Sequence, residues 1–530
     1  MSAGTATGPE SAPEPAVTRA PASQGSPSPD AWLRLSPRAL AVRPITDLLR
    51  SAPVLIGLFY EGSRGGGHAN YWGLGFGAFA IVAGIWRWFG TKYQVTDERV
   101  FIKRGLLSPR VLSTPRSGVR SVDLTAHVMH RLVGVAAVKI GTGRNEKREG
   151  DSFKLDGINA ADAEALRTLL LNVPRAAHVA AATTVVPVAE TEIVRLRTSW
   201  IRFAPLTLTG LVILGVLVGF VSQAEHDAGV NLTAFGPVHA GIHRMTSMPL
   251  AESIPVGVLA IVLALVLVSV LGYVAVFWNF RLVRTGLGSL RVTRGLLSTR
   301  ATTIDEARLR GVEISEPLSL RAAQGARCLA ITTGLRVGGG AERGGSVLLP
   351  PAPRAVAHRV AAEVLGVSAE LCSVELVPHG PAALRRRELR AVLPILVLCL
   401  AIGGPLVGTG ILSYWTALIL PVALVLGDLL ARDRYRGLGH RLVGEWIVVS
   451  TGSLVRRRSI LNVHGVIGWG VRQTWFQRRR GLVTVTVTTA AGKQRYRVMD
   501  VPMSEALAFI TAATPTLVPQ FLDAAVGGAS

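Results

Sequence analysis

Along this chain, long apolar runs alternate with stretches in which apolar and polar positions take turns. Six runs stand out, at 45–60, 71–89, 203–222, 254–279, 389–411 and 414–430, and they fall into three close pairs. Most approach the ~20 residues a helix needs to cross the hydrocarbon core of a bilayer. Residues 254–277 carry no charged side chain at all, which favours a lipid-spanning helix over the core helix of a soluble protein. The first run is the weakest, because Asp47 and Arg50 leave only Ser51–Tyr60 as its apolar core. Trp86, Trp88, Trp200, Phe277 and Trp278 sit at run ends, where interfacial aromatic belts form. The pattern predicts six transmembrane helices in three pairs.

After each pair the period changes from helical to strand-like. Alternation continues in Val119-Arg-Ser-Val-Asp-Leu124 and in Leu482-Val-Thr-Val-Thr-Val-Thr488, where β-branched residues dominate. Each stretch opens with a β-alternating run that turns at a glycine (Gly105, Gly295, Gly452), where a hairpin needs positive φ. Each closes with a short amphipathic helix, at about Ala160–Leu171, Ala355–Leu365 and Ser504–Ala512. A shift of 190 residues lays Gly105 on Gly295, Val119 on Leu309 and Val122 on Val312. A shift of 347 lays Gly105 on Gly452, Val119 on Val466 and Gly134 on Gly481. The chain therefore reads as three copies of one unit. Strands first and one helix last suit a small barrel or sandwich closed by a helix.

Charge sets the orientation of the runs. The connection between the third and fourth carries Glu225, Asp227 and Glu252 against Arg244, whereas the opposite flanks carry Arg34, Arg38, Arg87, Lys92, Arg195, Arg281, Arg385–Arg387, Arg432 and Arg434. The positive-inside rule then places both termini and all three strand-rich regions in the cytoplasm, with the protein in the cell membrane as a multi-pass chain. The net charge of +23, from 57 Lys+Arg against 34 Asp+Glu, fits cytoplasmic loops facing anionic lipid. It does not require nucleic acid, since no groove-reading helix or aromatic stripe accompanies it.

The Thr96–Arg99 run (Thr-Asp-Glu-Arg), Gly105-Leu-Leu107, Val119-Arg-Ser-Val-Asp123 and Arg131-Leu-Val-Gly-Val-Ala-Ala-Val138 resemble bacterial pleckstrin-homology (PH)-like membrane proteins of the YdbT type. The match is closest in the first copy. In the second, Arg284-Thr-Gly-Leu287 replaces the Thr-Asp-Glu-Arg run, and the third is the most diverged. The resemblance implies three cytoplasmic PH-like β-barrel or sandwich domains, at 91–175, 280–368 and 432–515, each closed by its C-terminal helix. Membrane pairs would occupy 41–90, 201–279 and 389–431. Residues 176–200 and 369–388 are left as linkers, and 1–40 and 516–530 as tails. The first ~30 residues are too rich in Ala, Pro, Ser and Gly to bury a core.

Nothing in the chain reads as an enzyme. There is no P-loop, no Gly-x-Ser-x-Gly, no H-E-x-x-H and no Cys-x-x-Cys among its residues, so neither a cofactor nor a metal is expected. Gly338–Gly340 with Gly344 and Gly345 lacks the Lys of a phosphate loop, and His127 with His130 reads as an ordinary solvated pair. Two arginine clusters remain as candidate anionic-lipid contacts: Arg456, Arg457 and Arg458, and Arg478, Arg479 and Arg480. The expected function is an integral membrane scaffold whose PH-like domains bind anionic inner-leaflet lipid or protein partners, among them a paired PH-like membrane protein. The alternative is an accessory subunit of an export or antimicrobial-resistance system.

Overall fold

The computed structural model describes residues 32–40, 89–105, 109–119, 121–141, 153–171, 190–207, 209–228, 236–286, 288–333, 346–410 and 419–515, together with Gly75, Ala78, Val82 and Trp86. The first segment holds β1 (Leu33–Arg34), β2 (Lys92–Val95), β3 (Arg99–Arg104), β4 (Arg110–Pro115), β5 (Ser121–His127), β6 (Val135–Gly141), β7 (Phe153–Asn159) and α1 (Ala160–Leu171). Next come β8 (Thr191–Arg195), α2 (Thr209–Ala228) and α3 (Leu250–Phe277). The middle segment follows with β9 (Arg281–Thr285), β10 (Ser289–Arg294), β11 (Ser298–Asp305), β12 (Leu309–Pro317), β13 (Gly325–Thr332), β14 (Val347–Pro353) and α4 (Arg354–Leu365). The last part comprises α5 (Gly380–Leu398), α6 (Ile419–Arg436), β15 (Gly439–Val443), β16 (Trp446–Thr451), β17 (Val455–Asn462), β18 (Val466–Arg472), β19 (Leu482–Thr489), β20 (Arg495–Pro502) and α7 (Met503–Ala513).

The strands form four antiparallel sheets, ordered β1-β2-β3-β4, β7-β6-β5-β11-β10-β9-β8, β14-β13-β12-β17-β16-β15 and β18-β19-β20. The two larger sheets are each made by two successive segments: β5 pairs with β11 and β12 pairs with β17. Separate cores lie beneath them. One is built on Val100, Ile102, Val122, Ile140 and Leu155, another on Phe203, Leu282, Ile314, Leu348 and Val360, a third on Val449, Val485, Val498 and Phe509. The closing helices α1, α4 and α7 pack their apolar stripes on these cores. The glycine turns are as the alternation requires, with φ of +93°, +111° and +108° at Gly105, Gly295 and Gly452. A Cβ at Gly295 or Gly452 would sit 2.0 Å from a carbonyl oxygen across its hairpin.

The expected count of six transmembrane helices is corrected. Among the described residues, two helices are long and apolar enough to cross a membrane: Leu250–Phe277, and Gly380–Gly408, in which α5 continues through a π-turn at Cys399–Gly403. Only 6% and 0% of their apolar windows are buried, so they are not core helices of a sheet protein. Helix α6 turns charged at Asp428, nine residues after its start, and α2 runs into Gln223, Glu225 and Asp227. The expected runs at 45–60 and most of 71–89 lie outside the described residues, as do Gly65–Gly67, Asn231 and the glycines at 338–345. The described chain is rich in antiparallel sheet, in four separate sheets.

Strand β1 precedes the first apolar run in the sequence yet pairs with β2, placing Leu33 opposite Tyr93. Strand β8 likewise precedes α2 and α3 and pairs with β9, and Val377 bridges His440 on β15. Each apolar region is thus inserted after the first edge of a sheet. Residues 32–40, expected as tail, and parts of both expected linkers belong to the folded structure, because Leu35, Ala39, Ile193, Val194 and Cys372 are buried. Helix α3 is tied to its sheet by Tyr273, whose hydroxyl donates to the Pro351 carbonyl at 3.0 Å, and by the turn amides of Gly295 and Leu296, which donate to Trp278 and Ala275.

An arginine-lined groove where an apolar helix meets a sheet

The strand pattern at the end of the chain builds one wall of a groove. In β19, Val483, Val485 and Val487 face the core, so Thr484, Thr486 and Thr488 face out. In β20, Tyr496 and Val498 point inward and Arg495 and Arg497 outward beside Thr486 and Thr488. Arg472 on β18 completes this face. The other wall is the start of α5, with Arg386, Arg387 and Arg390, and the end of α6, with Arg434. Together they enclose a cavity of about 590 Å³. Seven arginines and one carboxylate, Asp500, line it.

Asp500 is the floor. It is 1% exposed and holds a positive φ of +62°. Its carboxylate accepts from Arg386, from Arg387 Nη2 at 3.0 Å and from Gln477 Nε2 at 2.9 Å. Gln477 is itself fixed by a capping box with Thr474 and donates to Thr484 Oγ1 at 2.8 Å. A buried carboxylate with three charge-assisted or amide donors is fully committed, so it orients the two guanidiniums without neutralising the groove. Arg390, Arg434, Arg472, Arg495 and Arg497 are exposed and form no ion pair among the described residues. Crowded cations of this kind attract a multivalent anion.

A second cavity of about 380 Å³ adjoins the first and shares Arg387, Arg390 and Arg434 with it. Its remaining lining is largely apolar: Ala391, Ile395, Gly427, Leu430, Ala431 and Leu454. It lies between α5 and α6, which approach closely at Gly427, where a Cβ would meet Ile395 Cδ1 at 2.8 Å. The two cavities make one amphipathic site: polar and cationic under the sheet, apolar between the helices.

Beside it, His379 fastens the start of α5 to the last sheet. Its Nδ1 lies 2.7 Å from the Met499 carbonyl and its Nε2 lies 3.0 Å from His440 Nδ1. A carbonyl only accepts, so His379 carries its proton on Nδ1 and takes the Nδ1–H of His440 on Nε2. Burial lowers both pKa values, that of His440 to about 4. Both rings are neutral at neutral pH.

Neither arginine cluster singled out from the sequence lines this groove. Arg456, Arg457 and Arg458 lie on β17 inside the six-stranded sheet, where Arg456 meets Asp433 at 3.2 Å, Arg457 meets Glu313 at 3.6 Å and Arg458 donates to the Val374 carbonyl. Arg478–Arg480 lie on an exposed turn beside the groove, with Arg479 stacked on Trp475 at 3.7 Å. His130, expected to be solvated, is buried and bonded to Asp156 at 3.2 Å. The groove arginines come from four elements, so no contiguous cluster announced them. The available signal was Arg495-x-Arg497 alternating beside the threonines of β19.

A family model described as bacterial PH domain matches the chain twice, over residues 51–173 and 391–513. Each match spans an apolar region together with the strands and helix that follow. The chain carries two regions that match bacterial PH domains. No curated protein and no solved structure matches it. PH-like domains bind lipids or proteins in general, and the two apolar helices suit membrane association.

Proposed function

We propose that this protein is a membrane-anchored, non-enzymatic scaffold whose last PH-like unit binds the phosphate-bearing headgroup of an anionic membrane amphiphile. The carrying observation is that the cationic groove and the apolar cavity share Arg387, Arg390 and Arg434 at the junction of α5, α6 and the last sheet. A phosphate seated among these guanidiniums would extend its polar substituents under Thr484, Thr486 and Arg497 and an acyl chain between the helices. Arginine suits this role because its planar fork pairs bidentately with phosphate oxygens. The positive-inside bias of the flanks supports a multi-pass chain with its termini and three PH-like units in the cytoplasm, beneath the anionic leaflet. With no assembled nucleophile, acid or base in the groove, binding rather than turnover is the reading that the residues support.

The test uses the full chain in nanodiscs. Anionic phosphatidylglycerol, compared with zwitterionic phosphatidylcholine, should raise the melting temperature and be retained on extraction into detergent. Replacing Arg390, Arg434 and Arg497 by Gln should lower that retention roughly tenfold or more, since charge-assisted hydrogen bonds contribute ~1.5–3 kcal/mol each. The same change at Arg478–Arg480 should lower it little. Equal loss in both triple variants would reduce the effect to unspecific charge and remove the proposal.

A further inference from the structure

The two joints that weld the segments together have one register. In the first, β5 lies on β11 with Asp123 opposite Thr302 and Thr125 opposite Arg300. In the second, β12 lies on β17 with Glu313 opposite Ser459 and Ser315 opposite Arg457. Thr302 and Ser459 are the same position of the unit, since Arg300 and Arg457 each begin the pairing with the preceding strand, at Arg294 and Thr451. Each joint carries one cross-strand ion pair in the same diagonal place: Asp123 to Arg300 at 3.1 Å and Glu313 to Arg457 at 3.6 Å.

Strand β4 is the first segment's copy of β11 and β17. Arg110 pairs with Arg104 as Arg300 pairs with Arg294, and a one-turn 3₁₀ helix follows each strand. It retains the arginine, but its sheet ends there: no described strand lies on its outer edge. Val111 is 55% exposed, and Arg110 has no ion pair among the described residues. Both joints use the same seven positions, the last of which is Thr114 in β4, so Pro115 falls beyond them and does not block pairing.

A second copy of this chain offers one matching free edge, β18, and it is the wrong one. Gly470, opposite Thr486, takes the place of Asp123, opposite Lys139, and Glu313, opposite Leu329. In the shared register Arg472 would face Arg110, and like charges directly opposite destabilise a strand pair. An unprotected edge is a template for pairing. We propose that β4 is a docking edge for an antiparallel strand of a different polypeptide, one that places a carboxylate opposite Leu112 and within reach of Arg110.

The charge logic is tested in the full chain, purified in detergent, by light-scattering mass against concentration. The wild type should show no self-association that depends on Arg110. Gly470→Glu with Arg472→Ser rewrites β18 in the manner of β12, and a Cβ at Gly470 has room, its nearest neighbour being Thr486 Cβ at 3.7 Å. This variant should self-associate at least about tenfold more tightly, the scale of one charge-assisted pair, and adding Arg110→Glu should abolish the gain. A rewritten chain that associates no more than wild type, or a wild type whose association Arg110→Glu weakens, overturns the proposal. A labelled peptide of Leu309–Pro317 gives an independent reading should the rewritten chain not fold. Wild type should prefer it to its Glu313→Lys form and Arg110→Glu should reverse that order; an unchanged order overturns the proposal.

Discussion

At the scale of single residues, burial decides which charges are structural and which are available. Asp500 has three donors and almost no exposure, so its removal strands Arg387, which is itself buried. Asp500→Asn is expected to destabilise the protein by about 3 kcal/mol, the scale of breaking a buried pair from one side, and to lower lipid retention by disorienting both arginines; denaturant melts in detergent check the first effect. His440 titrates near 4 in the folded chain and near 6.5 when unfolded. The unfolded state therefore binds more protons between these values, and stability falls as pH drops from 6.5 to 4. The loss is on the order of 3 kcal/mol, and melting temperatures across that window should show a slope that His440→Gln flattens.

At the scale of elements, the hairpin glycines have a cause beyond turn preference. Gly452 combines a φ of +108° with a carbonyl, that of Val455, 2.0 Å from where a Cβ would stand. Gly452→Ala should cost about 2–4 kcal/mol and loosen β16 and β17 first, which hydrogen exchange of those strands would reveal. The alternation of β19 and β20 foretold a two-faced sheet. It did not reveal that the outward face meets α5 and α6, because that meeting depends on a helix separated from β20 by about a hundred residues of chain.

At the scale of the whole molecule, the PH-like units are not beads on a string. The middle segment contributes β11 to one sheet and β12 to another, and both are interior strands in the intact chain. Expressed alone, residues 281–365 would expose two long strand edges and are expected to aggregate or dimerise rather than remain monomeric. Sedimentation of that fragment against the intact protein in detergent tests this; a stable monomer would show that the joints are dispensable.

Local period and composition are enough to read the glycine hairpins, the strand alternation, the closing helices, the PH-like character and two strongly apolar helices from the residues alone. The expected six spans did not survive: among the described residues two helices are long and apolar enough to cross, while α6 turns charged after nine residues and α2 runs into Glu225 and Asp227. Which arginines are available depends on how the segments pack in space. Arg456–Arg458 look free in the sequence but are held in a strand joint, while Arg390, Arg434, Arg472, Arg495 and Arg497 look scattered and converge. Convergence of that kind is set by which sheet faces which helix, and pairing across segments leaves no trace in a local pattern.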